Sequence, residues 1–292
     1  MTSQGAAKIL VTLANSHFGT LAINSLLKKI PAKNIIGTVR DLSKGAKLKE
    51  KGIEIRVGDY TKPETLKEAF KGVKKILFIS SIPSEKYPRQ NQHKNVVEAA
   101  KSCGVEFIVY TSFIHCDENK SALSLDHKFT EKLIKESGIK YTICRNNWYF
   151  ENDSLIWKKC GLEGKKLYNP LGKQKIGYAL RREYAEAAAQ ALIIDNPKPI
   201  YELAGKPVTF EEVGEALKKV SKKDFQIVNV SKEEFGEKLK EEGYPPEFIG
   251  MWAFMINDYI SGCLNFGSND FSEILGRNPA SLESALEEIL KE

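Results

Sequence analysis

The sequence predicts an α/β protein in which a doubly wound parallel sheet is followed by a smaller C-terminal region. Short apolar, β-branched runs alternate with amphipathic helical stripes through the first half of the chain. These runs contain few polar residues, which is typical of strands that are covered on both faces. Right-handed crossovers between such strands place helices on both sides of one sheet.

The first half contains six predicted strands that are joined by helices. The first helix stops before Pro31, and several others end at glycine, which closes a helix in the left-handed conformation. The sequence Thr61-Lys-Pro-Glu64 predicts a capping box in which Thr61 starts the third helix. The predicted strands cover 8–13, 34–40, 53–57, 75–80, 105–110 and 139–144, and the helices cover 18–30, 42–51, 61–70, 88–103 and 125–136.

The alternation breaks after about residue 150. An Ala-rich helix is predicted over 181–194 and a short strand over 199–203. Two further capping boxes begin at Thr209 and Ser231, and an amphipathic helix covers 281–291. We therefore expect a first domain over 1–150 and a second region over 151–292, from which some segments return to the first domain.

The composition is that of an ordinary globular protein. The 292 residues carry 44 Lys plus Arg against 38 Asp plus Glu, and because the charges are interleaved they indicate a solvated surface and not a nucleic-acid face. The five cysteines lack C-x-x-C spacing, which predicts reduced thiols. Residues 1–8 do not resemble a signal peptide, and no apolar stretch reaches the length of a membrane span. We expect a soluble cytoplasmic protein without a metal.

The first strand-to-helix turn is the most informative segment. It reads Thr12-Leu-Ala-Asn-Ser-His-Phe-Gly19. In a doubly wound sheet the ligand lies beyond the carboxyl ends of the strands, and a pyrophosphate rests on the N-terminus of the first helix. Only Gly19 occupies a position of the usual glycine fingerprint. Taken alone, the turn also fits a plain connection between strand and helix.

Polar residues also follow the next strands. Arg40 ends the second strand, where a guanidinium favours a ribose 2′-phosphate and a carboxylate would favour a free hydroxyl. Lys44 is close enough in sequence to assist. Asp59-Tyr60 and Ser80-Ser81 end the third and fourth strands. Such residues line a ligand crevice, but they also occur in ordinary turns, and Arg40 alone also fits an ordinary surface position.

Taken together, these segments resemble the NmrA-like branch of the atypical short-chain dehydrogenases. Within that branch they are most similar to the NAD(P)H:quinone oxidoreductases and triphenylmethane reductases. The likeness covers nearly the whole chain and depends on the order of its motifs. The segments that carry it are Val11-Thr12 with Gly19, Thr38–Arg40, Val57–Tyr60, Ile79–Ser81, Tyr110–Ser112, Tyr141–Asn152, Tyr201–Gly205 and Glu247–Arg277.

The resemblance implies a Rossmann domain over 1–150 that binds NADP, as NADPH. The turn residues implied to contact the cofactor are Thr12, Ala14, Asn15, Ser16, His17 and Phe18. Beyond the turn, it implies Arg40 at the 2′-phosphate, Asp59 and Tyr60 near the adenine, Ser80 and Ser81 near the diphosphate and nicotinamide ribose, and Asn146 and Trp148 near the nicotinamide. Arg181 is a further candidate. Three aromatic residues are candidates for a flat, apolar substrate wall: Trp148, Tyr149 and Tyr178.

The sequence departs from the family pattern at three positions. Leu13 and Ser16 stand where the first two glycines of the turn are usual, and Asn147 replaces the Gly of an N-G-W-Y motif. Ser16 can still offer its backbone N–H and hydroxyl to a phosphate. Leu13 is the harder case, because its Cβ clashes if the position requires a conformation that only glycine adopts. Cofactor binding therefore depends on how the turn accommodates Leu13.

The usual Tyr-x-x-x-Lys pair of short-chain dehydrogenases is absent. In the matching segment, 123–128, His127 stands where the Lys is expected. His127 could orient the nicotinamide ribose or deliver a proton, since imidazole titrates near neutrality, or it could be a polar helix residue. Without the Tyr, a conjugated acceptor such as a quinone is favoured, because hydride attack yields a delocalised anion that water can protonate.

Two main hypotheses follow from these features. The first is an NAD(P)H-dependent oxidoreductase that passes hydride to a quinone-like or other conjugated aromatic acceptor. The second is a dinucleotide-binding redox sensor that regulates a partner without turnover, which the altered turn would favour. The absent Tyr-x-x-x-Lys argues against a third option, a sugar-nucleotide epimerase. The expected partner is a small aromatic or quinone substrate, and the sequence is also compatible with a homodimer.

Overall fold

The computed structural model describes residues 7–82 and 86–292. Residues 1–6, over which most of the signal-peptide prediction falls, lie outside this part. The chain divides into two units. Unit 1 comprises the described residues up to Glu118 together with 122–146 and 182–202, and unit 2 comprises 119–121, 147–181 and 203–292.

Unit 1 is built on a seven-stranded sheet. Its strands are β1 (Ile9–Val11), β2 (Ile35–Val39), β3 (Glu54–Val57), β4 (Lys75–Phe78), β5 (Phe107–Phe113), β6 (Lys140–Asn146) and β9 (Ile200–Leu203). They lie in the order β3-β2-β1-β4-β5-β6-β9, and all pairings from β3 to β6 are parallel. The order reverses between β1 and β4, as in the doubly wound nucleotide-binding folds. The predicted fold class is confirmed.

Helices accompany these strands. They are α1 (His17–Leu27), α2 (Ala46–Lys49), α3 (Pro63–Phe70), α4 (Arg89–Ser102), α5 (Ala122–Glu136) and α7 (Arg181–Ile193), with 3-10 turns at Ala32–Asn34 and Leu42–Gly45. The inner strands β1 and β2 bury every residue, whereas β3 exposes Glu54 and Val57. This contrast follows from position, because β3 ends the strand order.

The start of α3 differs from the prediction. The helix begins at Pro63, and the preceding Lys62 forms no side-chain cap. Thr61 instead donates both its N–H and its hydroxyl to the Asp59 carboxylate, at 2.9 and 2.8 Å. The prediction that Thr61 caps α3 is therefore wrong. Asp59 offers a charged acceptor two residues earlier, and proline suits the first helical position because it lacks an N–H.

Unit 2 contains the remaining helices and short strands. They are α6 (Ser154–Glu163), α8 (Phe210–Ser221), α9 (Lys232–Glu241), α10 (Pro246–Ile260), α11 (Asp270–Leu275), α12 (Leu282–Lys291), β7 (Leu167–Asn169), β8 (Lys175–Ile176), β10 (Val208–Thr209) and β11 (Ile227–Asn229), with a 3-10 turn at Phe150–Asp153. The capping boxes predicted at Thr209 and Ser231 are confirmed. Within the described ranges, no helix has both the length and the apolar character needed to cross a membrane.

Candidate cofactor and active site

The turn between β1 and α1 has the backbone shape of a glycine turn although Leu13 occupies it. Leu13 has φ +47°, in the left-handed region. Its carbonyl accepts the N–H of Ser16 at 2.9 Å, and the N–H of Ala14 donates to Thr38 at 2.8 Å. A Cβ at Gly19 would overlap the Leu13 carbonyl oxygen, so only glycine allows α1 to approach this closely. The turn is therefore tight.

The leucine side chain is accommodated by packing. Leu13 is half-buried and packs against the hydrophobic core cluster of unit 1, which contains Leu10 and Tyr60. A left-handed conformation costs a non-glycine residue about 1–3 kcal/mol, and apolar contact offsets part of that cost. The turn therefore forms with leucine at this position.

Replacing Leu13 with Gly is expected to leave the NADPH dissociation constant within about threefold of the wild-type value, because the side chain packs on the core. The thermal midpoint should change little, since the variant loses apolar packing but also loses the left-handed strain. Leu13→Ala is the matched control, which keeps the strain, loses the packing and should be less stable than Leu13→Gly. Tenfold tighter binding by Leu13→Gly would contradict this account.

Ser16 caps the first helix. Its Oγ accepts the N–H of Gly19 at 3.0 Å, while its own N–H is bonded to Leu13. The prediction that Ser16 offers its N–H to a phosphate is therefore wrong, but its hydroxyl hydrogen remains a donor. The first turn of α1 carries no acidic residue, so the positive end of the helix dipole is not neutralised there. These features fit a diphosphate.

The other turn residues differ in exposure. Asn15 and His17 are exposed, whereas Ala14 and Phe18 are buried. The Thr12 hydroxyl donates to Leu77 O at 3.0 Å and accepts from Tyr60 Oη and from the N–H of Ile79. The Tyr60 hydroxyl also lies 2.8 Å from Ile79 O, which is a second acceptor for its hydrogen, and Tyr60 is 2% exposed. The side chains of Thr12 and Tyr60 therefore join strand ends, and the cofactor contacts assigned to these two residues stay predictions.

Arg40 is placed as a phosphate ligand would be. It is exposed directly after β2, and its guanidinium forms no ion pair or hydrogen bond with the described ranges. The neighbouring Asp41 carboxylate accepts the N–H of Ser43 at 2.9 Å, a bond that lowers the pKa of this carboxyl. Lys44 lies on the same short 3-10 turn. An exposed guanidinium at this position suits a 2′-phosphate.

The other predicted cofactor residues lie at strand ends of unit 1. The half-buried Asp59 accepts the N–H of Thr61, and its own N–H donates to the Thr65 hydroxyl oxygen at 2.9 Å. The N–H of Ser80 donates to Thr111 Oγ1 at 2.9 Å. Ser81 is 6% exposed, and Asn146 ends β6 and is buried. The two serines follow β4, the strand next to β1 at the reversal of strand order.

His127 does not match its predicted role in proton transfer. It is 6% exposed, its Nδ1 lies 2.7 Å from Tyr110 Oη, and its ring stacks on Phe113. Burial, assisted by the charge of Arg89, lowers its pKa to about 3. The imidazole is therefore neutral at pH 7 and cannot deliver a proton near neutrality. The sequence did not reveal that this helix face is buried, and the other role considered for His127, orienting the nicotinamide ribose, stays a prediction.

A buried carboxyl organises the aromatic residues of unit 2. Asp153 accepts bonds from Tyr178 Oη at 2.8 Å, Trp148 Nε1 at 3.2 Å and Tyr259 Oη at 3.3 Å. Burial raises its pKa to about 7, although these bonds oppose the rise. Trp148 is 8% exposed and is held by this cluster. No motif in the sequence distinguishes Asp153, so it was not among the predicted site residues.

Asn147, which replaces the Gly of the N-G-W-Y motif, links two segments of unit 2 by hydrogen bonds. Its Nδ2 donates to Leu264 O at 3.0 Å and to Phe266 O at 3.2 Å. The next residue but one, Tyr149, is half-buried, with the Arg181 guanidinium 5.4 Å from its ring centre. The N–H of Arg181 donates to the Glu151 carboxylate. Asn147 therefore has a structural function that glycine could not supply.

A cavity of about 1130 Å³ lies in unit 2. Phe150 and Tyr178 line it, and their rings stack at 4.7 Å and 16°. The charged residues of the lining are Lys206, Glu211, Glu212, Glu215, Lys219 and Glu283. Because the two rings cover each other and are 3% and 4% exposed, only a small part of each faces the cavity.

The strand order, the tight first turn and Arg40 define a dinucleotide-binding protein of the Rossmann class. A family model described as NAD(P)H-binding matches residues 14–166. The chain is 36% identical over 280 residues to quinone oxidoreductase 2 of Escherichia coli, which covers 95% of this chain and 97% of the relative. It is 26% identical over 309 residues to an NmrA-like family domain-containing oxidoreductase of Aspergillus flavus, covering 98% and 95%. The chain belongs to the NAD(P)H-binding NmrA-like family.

Solved structures show the same likeness. The Escherichia coli NADPH-dependent quinone oxidoreductase in complex with NADPH superimposes with a TM-score of 0.87 at 35% identity, over 96% of this chain and 99% of that one. The Citrobacter sp. triphenylmethane reductase in complex with NADP(H) gives a TM-score of 0.90 at 32% identity, over 97% and 100%. The resemblance inferred from the motifs is confirmed.

Proposed function

We propose that this protein is an NADPH-dependent oxidoreductase that reduces a quinone or another conjugated aromatic acceptor. The observation that carries the proposal is the first turn, which is tight and holds Leu13 in the left-handed conformation directly before the N-terminus of α1. Relatives that span nearly the whole chain support the reaction, since one is named a quinone oxidoreductase and another a triphenylmethane reductase.

The cofactor residues divide by the group that they would bind. The N-terminus of α1 and the Ser16 hydroxyl would hold the diphosphate, with Asn15 and His17 exposed on the same turn. Arg40 would bind the 2′-phosphate, and Lys44 would assist it. The Ser80–Ser81 segment would lie against the diphosphate and ribose. When bound, NADPH supplies a hydride.

The protein groups explain why a conjugated acceptor fits better than a simple carbonyl. The neutral His127 does not donate protons at pH 7, and the Ser112 hydroxyl already donates to Glu131 at 2.6 Å. A quinone that accepts hydride becomes a hydroquinone anion, which takes its proton from water. The chain then has to orient the two reactants and exclude bulk water. For the acceptor, we propose Tyr178, which lines the cavity of unit 2, and Tyr149.

The proposal is tested by titrating NADPH and NADH and then following NADPH absorbance with a panel of quinones. Tight NADPH binding with quinone-dependent oxidation is the expected result. Failure of both nucleotides to bind at millimolar concentration would overturn the proposal. Tight binding without oxidation of any quinone would favour the redox sensor instead.

Replacing Arg40 with Asp is expected to weaken NADPH binding by about 10- to 100-fold and to leave NADH binding within about threefold, because only NADPH carries the 2′-phosphate. Fluorescence titration of both nucleotides measures this change. Lys33→Asp is the matched control, since Lys33 is exposed just before β2, at the opposite end from Arg40, and the change in charge is the same. A variant that kept its preference for NADPH would refute the role of Arg40.

We also propose a cytoplasmic location, which the five free thiols support. The homodimer stays a prediction, which the molecular mass measured in solution would test.

A further inference from the structure

Two buried side chains of α4 hold Ser81 by both polar groups of its backbone. His93 Nε2 accepts the N–H of Ser81 at 3.0 Å, and Arg89 Nε donates to Ser81 O at 2.6 Å. His93 is 0% exposed and Arg89 is 9% exposed. They lie four positions apart on the helix, so they project from the same face. The end of β4 is therefore clamped from α4.

The hydrogen bonds determine the tautomer of His93. Because the N–H of Ser81 can only donate, Nε2 must accept, and the ring hydrogen lies on Nδ1. Nδ1 lies 2.8 Å from Thr130 Oγ1, whose own hydrogen goes to Asp126 O at 2.8 Å. Burial, followed by the charges of His127 and Arg89, lowers the pKa of His93 well below its ordinary value. The imidazole is therefore neutral at pH 7 and remains an acceptor for Ser81.

The contacts close into a ring. Asp126 lies on α5, and its carboxylate is 3.8 Å from Arg89 Nη1 and accepts a bond from Gln90 Nε2 at 3.1 Å. The ring thus joins Ser81, His93 and Thr130 to Asp126 and Arg89. Burying a guanidinium and an imidazole is unfavourable, and here burial lowers the pKa of Arg89 and leaves its Nη1 without a hydrogen bond in the described part of the chain. A purely apolar contact would hold the helices together at less cost but would not orient the Ser81 backbone.

We propose that His93 and Arg89 are positioning residues that hold the Ser80–Ser81 segment in place for the cofactor. This inference rests on the proposed function. In the sheet, β1 lies between β2 and β4, and ligands of doubly wound folds bind where the strand order reverses. A cofactor on the turn after β1 therefore lies beside the carboxyl end of β4. The clamp fixes that end before the cofactor arrives, which lowers the ordering cost of binding.

Two substitutions at His93 separate positioning from general stability. In His93→Gln the side-chain oxygen can replace Nε2 as the acceptor for Ser81, whereas His93→Asn reaches only the position of Nδ1 and leaves the N–H of Ser81 without an acceptor. Both variants disturb the same buried site, so each should lose thermal stability. We expect His93→Asn to raise the NADPH dissociation constant by about tenfold and His93→Gln by less than about threefold. At saturating NADPH, kcat should stay within about twofold of wild type in both.

Three further measurements complete the test. Arg89→Met removes the donor to Ser81 O and should also weaken NADPH binding by about tenfold, which keeps the proposal testable if a His93 variant fails to fold. Lys94→Gln, at an exposed position of the same helix, should bind like wild type. Hydrogen exchange of the peptide that contains Ser81 should be faster in His93→Asn than in His93→Gln.

If His93→Asn, His93→Gln and Arg89→Met all bound NADPH as tightly as wild type, the positioning role would be overturned and the proposed function would stay intact. Failure of the wild-type protein to bind NADPH would instead overturn the proposed function.

Discussion

Replacing Arg145 with Leu is expected to lower the free energy of unfolding by about 3–5 kcal/mol. The guanidinium bonds Glu131 through two nitrogens, Nε to Oε1 at 2.9 Å and Nη2 to Oε2 at 2.6 Å. It also donates to Glu202 at 2.8 Å and to Asp117 at 2.6 Å. The Arg145 and Glu131 side chains are 5% and 2% exposed. The substitution therefore leaves a buried carboxylate whose remaining cation is Lys135, at 3.3 Å.

The electrostatics support this expectation. Burial alone lowers the pKa of Arg145, but the bonds from Glu131, Glu202 and Asp117 outweigh it, and the pKa lies above its ordinary value. The same cluster holds two chain segments, since the second oxygen of Glu202 accepts the N–H of His115 at 2.8 Å. His115 has φ +46°, a conformation that needs such support.

Urea denaturation followed by circular dichroism measures the effect. Arg145→Leu combined with Glu131→Gln should recover part of the loss, because the unpaired carboxylate is removed as well. Lys71→Gln is the control, since Lys71 pairs with Glu68 where both side chains are more than two-thirds exposed, and the change should stay within about 0.5 kcal/mol. A loss below about 1 kcal/mol in Arg145→Leu would show that the cluster contributes no more than surface ion pairs.

Asp153→Asn is expected to abolish a pH dependence of stability in unit 2. The pKa of Asp153 is about 7 in the folded protein because the carboxyl is fully buried, against 3.8 for an exposed carboxyl. Between about pH 4 and pH 7, the folded state therefore keeps a proton that the unfolded state has already released. The free energy of unfolding is therefore greatest below pH 4. It falls by about 4 kcal/mol in total as the pH rises from about 4 to about 7, and it levels off above that.

The asparagine variant should lack this fall. Its Oδ1 can accept from Tyr178 and Trp148, and its Nδ2 can donate to Tyr259 Oη, so the bonds survive without a charge. Urea denaturation at several values between pH 5 and pH 8.5, followed by tryptophan fluorescence, compares the proteins. All three tryptophans, at positions 148, 157 and 252, lie in unit 2, and Trp148 bonds Asp153 directly.

The stability of the variant relative to wild type should be about 2–3 kcal/mol greater at pH 8 than at pH 5. Asp224→Asn, at an exposed carboxyl of unit 2, should keep the wild-type profile. Parallel profiles for Asp153→Asn and wild type would show that Asp153 does not titrate in this range.

Much of unit 1 could be predicted because hydrophobic periodicity and helix endings are local signals. All six strands predicted in the first half are present, with ends shifted by a few residues. Thr61 was misjudged because its best acceptor, Asp59, competes with the helix N-terminus. At Leu13 the sequence identified the difficult position but could not show that the side chain packs on the core.

The chemistry of single side chains was less predictable. His127 and His93 both lie on helices beside the sheet, yet neither periodicity nor spacing indicated that both are buried and neutral. Arg89 and His93 do leave a signal, because two polar residues four apart on the apolar face of a helix imply a shared buried partner. That partner, Ser81, becomes apparent only when α4 is packed beside the end of β4.

The sequence by itself determined the alternation of strands and helices, the family and the position of Arg40, since these depend on residue order and local pattern. Only the tertiary structure decided which polar side chains are satisfied inside the protein and which remain available to a ligand. The physical reason is that burial and hydrogen-bond partners come from segments distant in sequence. Thr12, Tyr60 and His127 are used within the fold, whereas Arg40 and the Ser16 hydroxyl hydrogen remain able to bind phosphate.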